Sequence, residues 1–311
     1  MLSDIEKTLA ARAPDGHSLV SVGVFDGVHL GHQSLLKRLA DDARSRSLRS
    51  VVVTFRQHPV TILTPGAVVP MLTSVEERER LVRQLGVDIV VVLDFTPVLA
   101  ETGARPFVLM LQKHLHMQGM LLGWDFALGR GRKGSLDALC GLGDELGFTT
   151  GIVGPVRYHD VAISSTAIRR ALSDGDIAGA VAMLGHSFTL CGEVVAGDRR
   201  GTTLGFPTAN LSLALEQALP ADGVYAALAR PDGQDFPAVA FIGTKETFGG
   251  RERVVEVHII GFSGDTYRRK LEVDIIERLR GVVRFPDAAA LITQIREDVA
   301  RAADILRGRV K

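Results

Sequence analysis

The sequence predicts an α/β protein with a parallel sheet in its first half and a small antiparallel sheet or barrel in its second half. In the first half, uninterrupted apolar runs alternate with amphipathic helical patterns, which is typical of a parallel sheet covered by helices on both faces. After residue 185 the apolar runs follow one another through glycine-rich connections, which indicates antiparallel pairing. The last segment, residues 286–306, has the apolar spacing of one amphipathic helix.

The predicted strands of the first half are β-branched runs at residues 19–24, 51–55, 89–93, 120–122 and 149–153. Helical patterns separate them, for example at residues 33–43 and 75–85. The run SST at residues 164–166 is a typical helix start, and a short apolar helix follows it. Because ligands bind beyond the carboxyl ends of parallel strands, we expect functional residues in the loops that follow these strands.

The predicted strands of the second half are residues 188–196, 223–229, 238–242, 254–262 and 270–276, with no helices between them. The pattern changes abruptly, so the domain boundary is predicted near residue 185. The chain is then divided into residues 1–185 and residues 186–311. At about 100–200 residues per domain, each part is long enough to bury its own core.

Composition and charge exclude several classes of protein. The chain of 311 residues carries 36 basic and 36 acidic side chains, balanced within each half. A protein that binds bulk nucleic acid or an anionic membrane surface usually shows a local excess of basic residues, so neither partner is expected. The 33 glycines exceed the roughly 7% that is usual, which is often a sign of backbone packed closely against phosphates.

Cysteine usage and the lack of long apolar segments predict a cytoplasmic protein. Cys140 and Cys191 are the only cysteines and have no metal-binding or redox spacing, so neither a disulfide scaffold nor a zinc site is expected. Residues 1–12 lack the apolar core of a signal peptide, and no run reaches the ~18 apolar residues of a membrane-spanning helix. The sequence leaves the oligomeric state open, a homo-oligomer included.

Two histidines follow the first predicted strand where a helix begins. His29 and His32 are accompanied by Gly27 and Gly31, which let the backbone approach an anion closely. A helix start presents free N–H groups and the positive end of the helix dipole to such an anion. The arrangement suits nucleotide transfer, in which imidazoles stabilise the charge on the phosphorus under attack. Two surface histidines in a loop are the alternative.

A second group of polar residues begins in the glycine-rich segment 201–210. Thr208 and Asn210 are two residues apart in an extended segment and therefore project to the same side, where their oxygens suit Mg²⁺ carrying nucleotide phosphates. Glu256 lies in an otherwise apolar strand and is the candidate general base for phosphoryl transfer to a hydroxyl. The alternative is a plain turn beside an outward-facing glutamate.

Longer motifs around both groups resemble a known family. The sequence GVFDGVHLGH at residues 23–32 resembles the bacterial bifunctional riboflavin kinases/FAD synthetases, and its HxGH is typical of the nucleotidylyltransferase superfamily. Further segments that resemble this family in the same order are TFRQHP at 54–59, GWDFALG at 123–129, ISSTAIR at 163–169 and GTTLGFPTAN at 201–210. The resemblance implies a Rossmann-like nucleotidylyltransferase domain at residues 1–185 and a riboflavin kinase barrel with a C-terminal helix at residues 186–311.

The resemblance implies two catalytic histidines in the first half, His29 and His32. The residues that it implies around the ATP phosphates are Gly23, Phe25, Gly31, Ser165, Thr166 and Arg169. Those that it implies on the flavin side are His58 and Asp125. A plain helix cap is the alternative reading of the Ser-Ser-Thr run.

In the second half, the resemblance implies that Thr208 and Asn210 bind Mg²⁺ and that Glu256 deprotonates the 5′-hydroxyl of riboflavin. Gly205 would lie against phosphate and Arg280 near flavin, with a salt bridge at the barrel edge as the alternative for Arg280. Five positions that depart from the family's pattern are Gln57, Thr202, Glu246, Arg268 and Val283. The implied metal ligands and base are kept, so both activities are expected.

The resemblance implies two sequential reactions that both use ATP and Mg²⁺. Riboflavin would be phosphorylated to FMN with release of ADP, and FMN would then be adenylylated to FAD with release of pyrophosphate. Three alternatives stay open. They are an FMN adenylyltransferase whose barrel binds flavin but is a weak or inactive kinase, a nucleotidylyltransferase for another acceptor, and a non-catalytic flavin-binding regulator.

Overall fold

A computed structural model describes residues 2–64, 66–126, 134–197, 200–214, 216–247 and 250–309. The chain divides into two compact units, residues 1–165 and residues 166–311. None of the helices in the described ranges combines the length and the apolar character that a membrane-crossing helix needs. The domain boundary predicted near residue 185 lies about 20 residues later, after the helices Ser165–Asp174 and Ile177–Leu184. The predicted boundary therefore stays a prediction.

The first unit contains the expected parallel sheet. Its strands are β1 (Ser18–Val22), β2 (Arg49–Phe55), β3 (Ile89–Leu93), β4 (Met117–Gly123) and β5 (Thr149–Val153), followed by the small hairpin of β6 (Arg157–Tyr158) and β7 (Val161–Ala162). The strand order is β3-β2-β1-β4-β5, with every neighbouring pair parallel. The chain winds outward from β1 on one side and from β4 on the other, so the loop after β1 lies at the switch point where such sheets bind ligands.

Helices cover both faces of this sheet. They are α1 (Leu2–Ala10), α2 (Leu30–Ser45), α3 (Pro59–Leu63), α4 (Val75–Gln84), α5 (Pro97–Glu101), α6 (Ala104–Leu115) and α7 (Leu136–Leu146). Leu9, Leu111 and Leu139 belong to the core on one face, and Leu36 and Val82 to the core on the other. The helical patterns at residues 33–43 and 75–85 are confirmed as α2 and α4.

The first strand is shorter than predicted. It ends at Val22 and not at residue 24, and the chain then turns at Phe25, whose φ of 51° is incompatible with a strand. This early end begins the turn that carries both histidines.

The second unit contains a closed barrel, which confirms the barrel alternative of the prediction. Its strands are β8 (Phe188–Val195), β9 (Ala209–Ser212), β10 (Gly223–Arg230), β11 (Phe236–Thr247), β12 (Gly250–Ile259) and β13 (Lys270–Arg280). They pair antiparallel in the order β10-β11-β12-β9-β8-β13. The helices are α8 (Ser165–Asp174), α9 (Ile177–Leu184), α10 (Arg200–Thr203) and α11 (Ala288–Leu306).

Two details of the barrel were predicted wrongly. A one-turn helix, α10, and a 3₁₀ turn at Pro231–Gly233 lie between strands where no helix was expected. The carbonyl of Gly201 accepts the N–H groups of Leu204 and Phe206 at 3.1 and 2.8 Å, which closes a compact turn that a run of glycine and threonine does not signal. The short segment of β9 pairs as a full strand between β8 and β12 and completes the barrel.

The C-terminal helix covers one side of the barrel, as its apolar spacing predicts. The carboxylate of Asp287 accepts the N–H of Ala290 at 2.8 Å and begins α11. Ala302 and Leu306 are buried against a cluster that includes Leu228 of β10 and Leu279 of β13.

Candidate active sites

Residues 23–32, which we call the histidine turn, connect β1 to α2. The backbone of the turn is strained, because Phe25, Gly27 and Val28 have φ values of 51°, 78° and 37°. The left-handed region is rare for a β-branched residue such as valine. His29 caps the start of α2 and His32 lies in its first turn, so both side chains are presented at the carboxyl edge of the sheet.

The rings of His29 and His32 are stacked, with centroids 3.6 Å apart and planes inclined by 17°. Nδ1 of His29 accepts a hydrogen bond from the backbone N–H of His32 at 3.3 Å. Because this nitrogen is an acceptor, the proton of a neutral His29 ring lies on Nε2. A β-carbon at Gly31 would lie 3.1 Å from the His29 ring, so glycine leaves room for that ring. Phe25 packs edge-on against His32, with the centroids 5.2 Å apart.

Burial lowers the pKa of His32 well below its ordinary value, and the positive charges of His29 and Arg78 lower it further. His32 is therefore neutral at pH 7. Its Nδ1 is buried and has no hydrogen-bond partner among the residues that the structure describes. A buried ring nitrogen without a partner is a group that a polar ligand can satisfy.

The predicted helix start at residues 164–166 is confirmed, since α8 begins at Ser165. The hydroxyl of Ser165 donates to the backbone carbonyl of Asp26 at 2.9 Å. Thr166 is exposed and Arg169 is half-buried, and both fall in the second unit. Binding of a triphosphate by these three residues stays a prediction.

The two residues expected on the flavin side follow strands of the same sheet. His58 is half-buried after β2, and its Nδ1 accepts the N–H of Val60 at 3.3 Å, which begins α3. Asp125 is exposed in the turn after β4. A β-carbon at Gly23 would lie 3.0 Å from the ring of Phe25, so Gly23 leaves room for that ring. Flavin contact by His58 and Asp125 stays a prediction. In the motif at 123–129 that contains Asp125, residues 127–129 lie outside the described residues.

In the second unit, Thr208, Asn210 and Glu256 come together. Asn210 of β9 is directly opposite Glu256 of β12 in the antiparallel register, which places both side chains on one face. The hydroxyl of Thr208 lies 3.4 Å from Oε2 of Glu256, toward which it donates. All three side chains are partly buried. The two-residue spacing of Thr208 and Asn210 in the sequence predicts that their side chains project to the same side of the strand.

This group fits a hard divalent cation by the chemistry of its donors. It offers hydroxyl, amide and carboxylate oxygens, which are the ligands that Mg²⁺ prefers. Within the described residues, no cluster of three or more His, Cys, Asp and Glu side chains could hold a metal ion. A cation at this group would therefore need additional oxygen ligands, such as nucleotide phosphates and water.

Glycines and a histidine support the segment that carries Thr208. A β-carbon at Gly197 would overlap the Asn210 amide, and one at Gly201 would lie 3.2 Å from Oγ1 of Thr208. Gly205 has a φ of 87°, which a residue with a side chain adopts only under strain. Nδ1 of His258 lies 2.8 Å from the carbonyl oxygen of Pro207 and holds the segment against β12.

Arg280 makes the salt bridge that the sequence left as an alternative. Its Nε lies 3.0 Å from both carboxylate oxygens of Asp298, and its Nη2 lies 2.7 Å from Oδ2. Gln294 donates to the same carboxylate at 3.2 Å, and Asp298 is buried. The guanidinium thus joins β13 to α11, and its contact with flavin stays a prediction.

The positions that depart from the family's pattern have different surroundings. Gln57 accepts the N–H of Phe95 through Oε1 at 3.1 Å, which ties the loop after β2 to the loop after β3. Arg268 adopts a φ of 60°, in the left-handed region that favours glycine. Val283 is exposed. The side chains of Thr202 and Glu246 lie outside the described part of the chain.

Two buried charged residues at the histidine turn were given no role by the sequence reasoning, and Arg78 also lies outside every quoted motif. They are Asp26, which lies inside the turn, and Arg78 of α4. The available signal for Arg78 is its place three and four positions before Leu81 and Val82, on the apolar face of α4. A charged residue on such a face is informative because its burial is costly.

Two family models match separate parts of the chain. The FAD synthetase model matches residues 12–167, and the riboflavin kinase model matches residues 184–306. A bifunctional riboflavin kinase/FMN adenylyltransferase of Escherichia coli K12 is 36% identical over 296 residues, which is 94% of each chain. Proteins of the same description from Listeria monocytogenes and Bacillus subtilis are 34% and 32% identical, over 91% and 92% of this chain and 91% of each relative.

A solved structure shares the fold over nearly the whole chain. It is that of a Streptococcus pneumoniae protein described as a macrolide-efflux protein, with a TM-score of 0.86 and 33% sequence identity. The match covers 94% of this chain and 96% of that chain. The parallel sheet and the barrel are therefore both found in a known structure.

Proposed function

Because this chain belongs to the family of bifunctional riboflavin kinases/FMN adenylyltransferases, it combines a riboflavin kinase with an FAD synthetase, and we propose that these activities use the two groups described above. One observation carries the proposal: each matched segment contains one group suited to its reaction. The histidine turn lies within residues 12–167, and Thr208, Asn210 and Glu256 lie within residues 184–306. The domains would be residues 1–185 for FAD synthesis and residues 186–311 for riboflavin phosphorylation.

In the riboflavin kinase reaction, the 5′-hydroxyl of riboflavin attacks the γ-phosphorus of ATP. The hydroxyl proton passes to the carboxylate of Glu256, the new P–O bond forms, and ADP leaves with the electrons of the broken bond. Glu256 suits this role because it is partly buried beside Thr208 and Asn210, so the acceptor hydroxyl and the phosphates can meet at one place. FMN is the product.

Thr208 and Asn210 would hold Mg²⁺ in this site through their hydroxyl and amide oxygens. When bound, the ion supplies charge neutralisation on the phosphates of ATP. The glycines at 197 and 201 support the assignment, since a larger residue would fill the space beside the two side chains.

In the FAD synthetase reaction, a phosphate oxygen of FMN attacks the α-phosphorus of ATP. The bond from this phosphorus to the bridging oxygen breaks, and pyrophosphate leaves with FAD as the second product. Nε2–H of His29 and the ring of the neutral His32 would donate hydrogen bonds to the phosphate under attack, beside the N–H groups of the α2 start. Ser165, which belongs to the same unit as the histidine turn, would bind the remaining phosphates.

We also propose a cytoplasmic location for this enzyme, because both reactions consume ATP.

A single experiment tests the function. The purified chain is incubated with riboflavin, ATP and Mg²⁺, and the flavins and nucleotides are separated by chromatography over time. The proposal expects FMN to appear first with ADP, and FAD to follow with pyrophosphate. If the chain makes FAD from supplied FMN but makes no FMN from riboflavin, the kinase assignment is contradicted. If it makes FMN but no FAD, the FAD synthetase assignment is contradicted.

A further inference from the structure

The histidine turn needs contacts from outside itself to keep its shape. Phe25, Gly27 and Val28 all lie in the left-handed region, with φ values of 51°, 78° and 37°. Such residues persist only where the surrounding structure holds them, because each costs on the order of 1–3 kcal/mol when it is not glycine. The segment from Leu72 to Arg78, which leads into and begins α4, supplies two such contacts.

The first contact is made by the carboxylate of Asp26. It is buried and accepts the backbone N–H of Leu72 at 2.9 Å and that of Thr73 at 3.2 Å. The hydroxyl of Thr73 accepts the N–H of Gly27 at 3.1 Å in return. The middle of the turn is thus fixed to the segment before α4.

The second contact is made by Arg78. Its side chain is 1% exposed, and its Nη1 lies 2.9 Å from the carbonyl oxygen of Val24, 2.6 Å from that of Phe55 and 3.1 Å from Oγ1 of Thr54. The Thr54 hydroxyl also donates to the Val24 carbonyl at 2.9 Å. One nitrogen therefore joins the carboxyl end of β2 to the backbone just before Phe25.

Burial of this guanidinium is not explained by packing alone. Its neighbours along the same face of α4 are Leu81 and Val82, and an apolar side chain would bury there without a desolvation cost. Nε of Arg78 has no hydrogen-bond partner in the described part of the chain. Side-chain hydrogen bonds of Arg78 go to Val24, inside the histidine turn, and to Thr54 and Phe55 at the end of β2, where the His58 loop begins.

We propose that Arg78 is a positioning residue for adenylyl transfer: it holds the start of the histidine turn to the end of β2, so that the strained turn presents His29 and His32 in the reactive geometry. The proposal rests on the FAD synthetase function proposed for this unit. In this proposal Arg78, which is 1% exposed, acts through the turn and not by contact with a substrate.

The test compares Arg78→Met with Arg78→Lys and with a matched control, Leu81→Ala. Lysine carries three N–H donors on one nitrogen and can replace the contacts of Nη1. Leu81→Ala removes buried apolar contact from the same face of α4 and leaves the strand ends untouched. For each variant, kcat and KM for FMN and ATP are measured in FAD formation, per mole of folded protein, together with the melting temperature.

We expect Arg78→Met to lower kcat of FAD formation by about 100-fold with little change in KM, since a misplacement of about 1 Å costs that much. Arg78→Lys should recover most of this loss. Leu81→Ala should lower the melting temperature but keep kcat. Riboflavin phosphorylation should be unchanged in all three. Equal kcat in Arg78→Met and Leu81→Ala would overturn the proposal.

Two further readouts keep the outcome decisive. Should Arg78→Met fail to fold, Thr54→Val and Arg78→Gln take its place: the first removes the hydroxyl that accepts from Arg78 and donates to Val24, and the second shortens the side chain that reaches Val24 and Phe55. An unchanged kcat in both would overturn the proposal. Ring signals of His29 and His32 in NMR report on their stacking without any turnover. We expect them to move in the Arg78→Met or Thr54→Val variant and not in Leu81→Ala. If the unaltered chain makes no FAD, the proposed function fails, and these signals still decide whether Arg78 positions the rings.

Discussion

Nδ1 of His29 accepts the backbone N–H of His32 at 3.3 Å, so a hydrogen bond joins the two histidines in addition to the stacking of their rings. The contact determines which nitrogen of His29 can donate to a ligand, namely Nε2. The pair lies in one unit of the chain and the Thr208 group in the other. Loss of either group should therefore affect one reaction and spare the other.

Removal of the His32 ring should abolish FAD formation selectively. In His32→Ala, we expect the rate from FMN and ATP to fall at least about 100-fold, because a donor aimed at developing phosphate charge typically contributes that much. FMN formation from riboflavin should be unchanged in the same preparation. Loss of both activities in a folded variant would show that the two sites are not independent.

Removal of the Asn210 amide should have the reverse effect. We expect Asn210→Ala to lower riboflavin phosphorylation by about 100-fold, because it deletes a ligand of the phosphate-bound cation. FAD formation from supplied FMN should stay at the level of the unaltered chain. Ser212→Ala, at an exposed position two residues further along the same strand, is the matched control. A kinase rate for Asn210→Ala equal to that of the control would contradict the assignment.

The low pKa of His32 makes the first unit less stable in acid. Between that lowered pKa and the ordinary value near 6.5, the unfolded chain binds a proton that the folded chain does not. The free energy of unfolding therefore decreases as the pH falls below about 6.5, by up to about 1.4 kcal/mol per pH unit from this group. His32→Ala should show a shallower decrease.

Urea unfolding at several pH values measures this effect. Trp124, the only tryptophan of the chain, lies in the first unit and provides its fluorescence signal. The slope of unfolding free energy against pH is compared between the unaltered chain and His32→Ala, which removes differences in absolute stability. Identical slopes would mean that His32 titrates normally in the folded protein.

The link between the barrel and its C-terminal helix should depend on one buried ion pair. Asp298→Ala leaves the guanidinium of Arg280 without its carboxylate, which typically costs about 3–5 kcal/mol for a buried pair. We expect faster hydrogen exchange of the α11 amides, measured by mass spectrometry. Asp304→Ala, whose carboxylate pairs with Arg307 on the exposed side of α11, should leave exchange in the helix interior unchanged. Equal exchange in the two variants would rule out this role for the ion pair.

Much of the fold follows from periodicity in the sequence, because buried strands and amphipathic helices leave regular apolar patterns. The five strands of the parallel sheet, α2, α4 and α11 were found in this way. The one-turn helix α10 and the early end of β1 were not. They depend on the Gly201 carbonyl and on the φ of Phe25, which are properties of backbone geometry and not of side-chain pattern.

The sequence predicted some contacts within the candidate sites but not others. Spacing alone put Thr208 and Asn210 on one side, but it could not show that Glu256 lies opposite Asn210, since strand register is set by tertiary pairing. The contacts of Arg78 join residues 54–55, 24 and 78, which are distant in sequence. No local pattern carries that information.

The most direct test of two separate sites on one chain is a mixing experiment. His32→Ala and Asn210→Ala are each incubated with riboflavin, ATP and Mg²⁺, and then the two variants are incubated together. Each variant alone should form FAD far more slowly than the unaltered chain, whereas the mixture should form it much faster than either, because the first variant releases FMN that the second can adenylylate. A mixture that forms no FAD, although each folded variant keeps its remaining activity, would contradict this account.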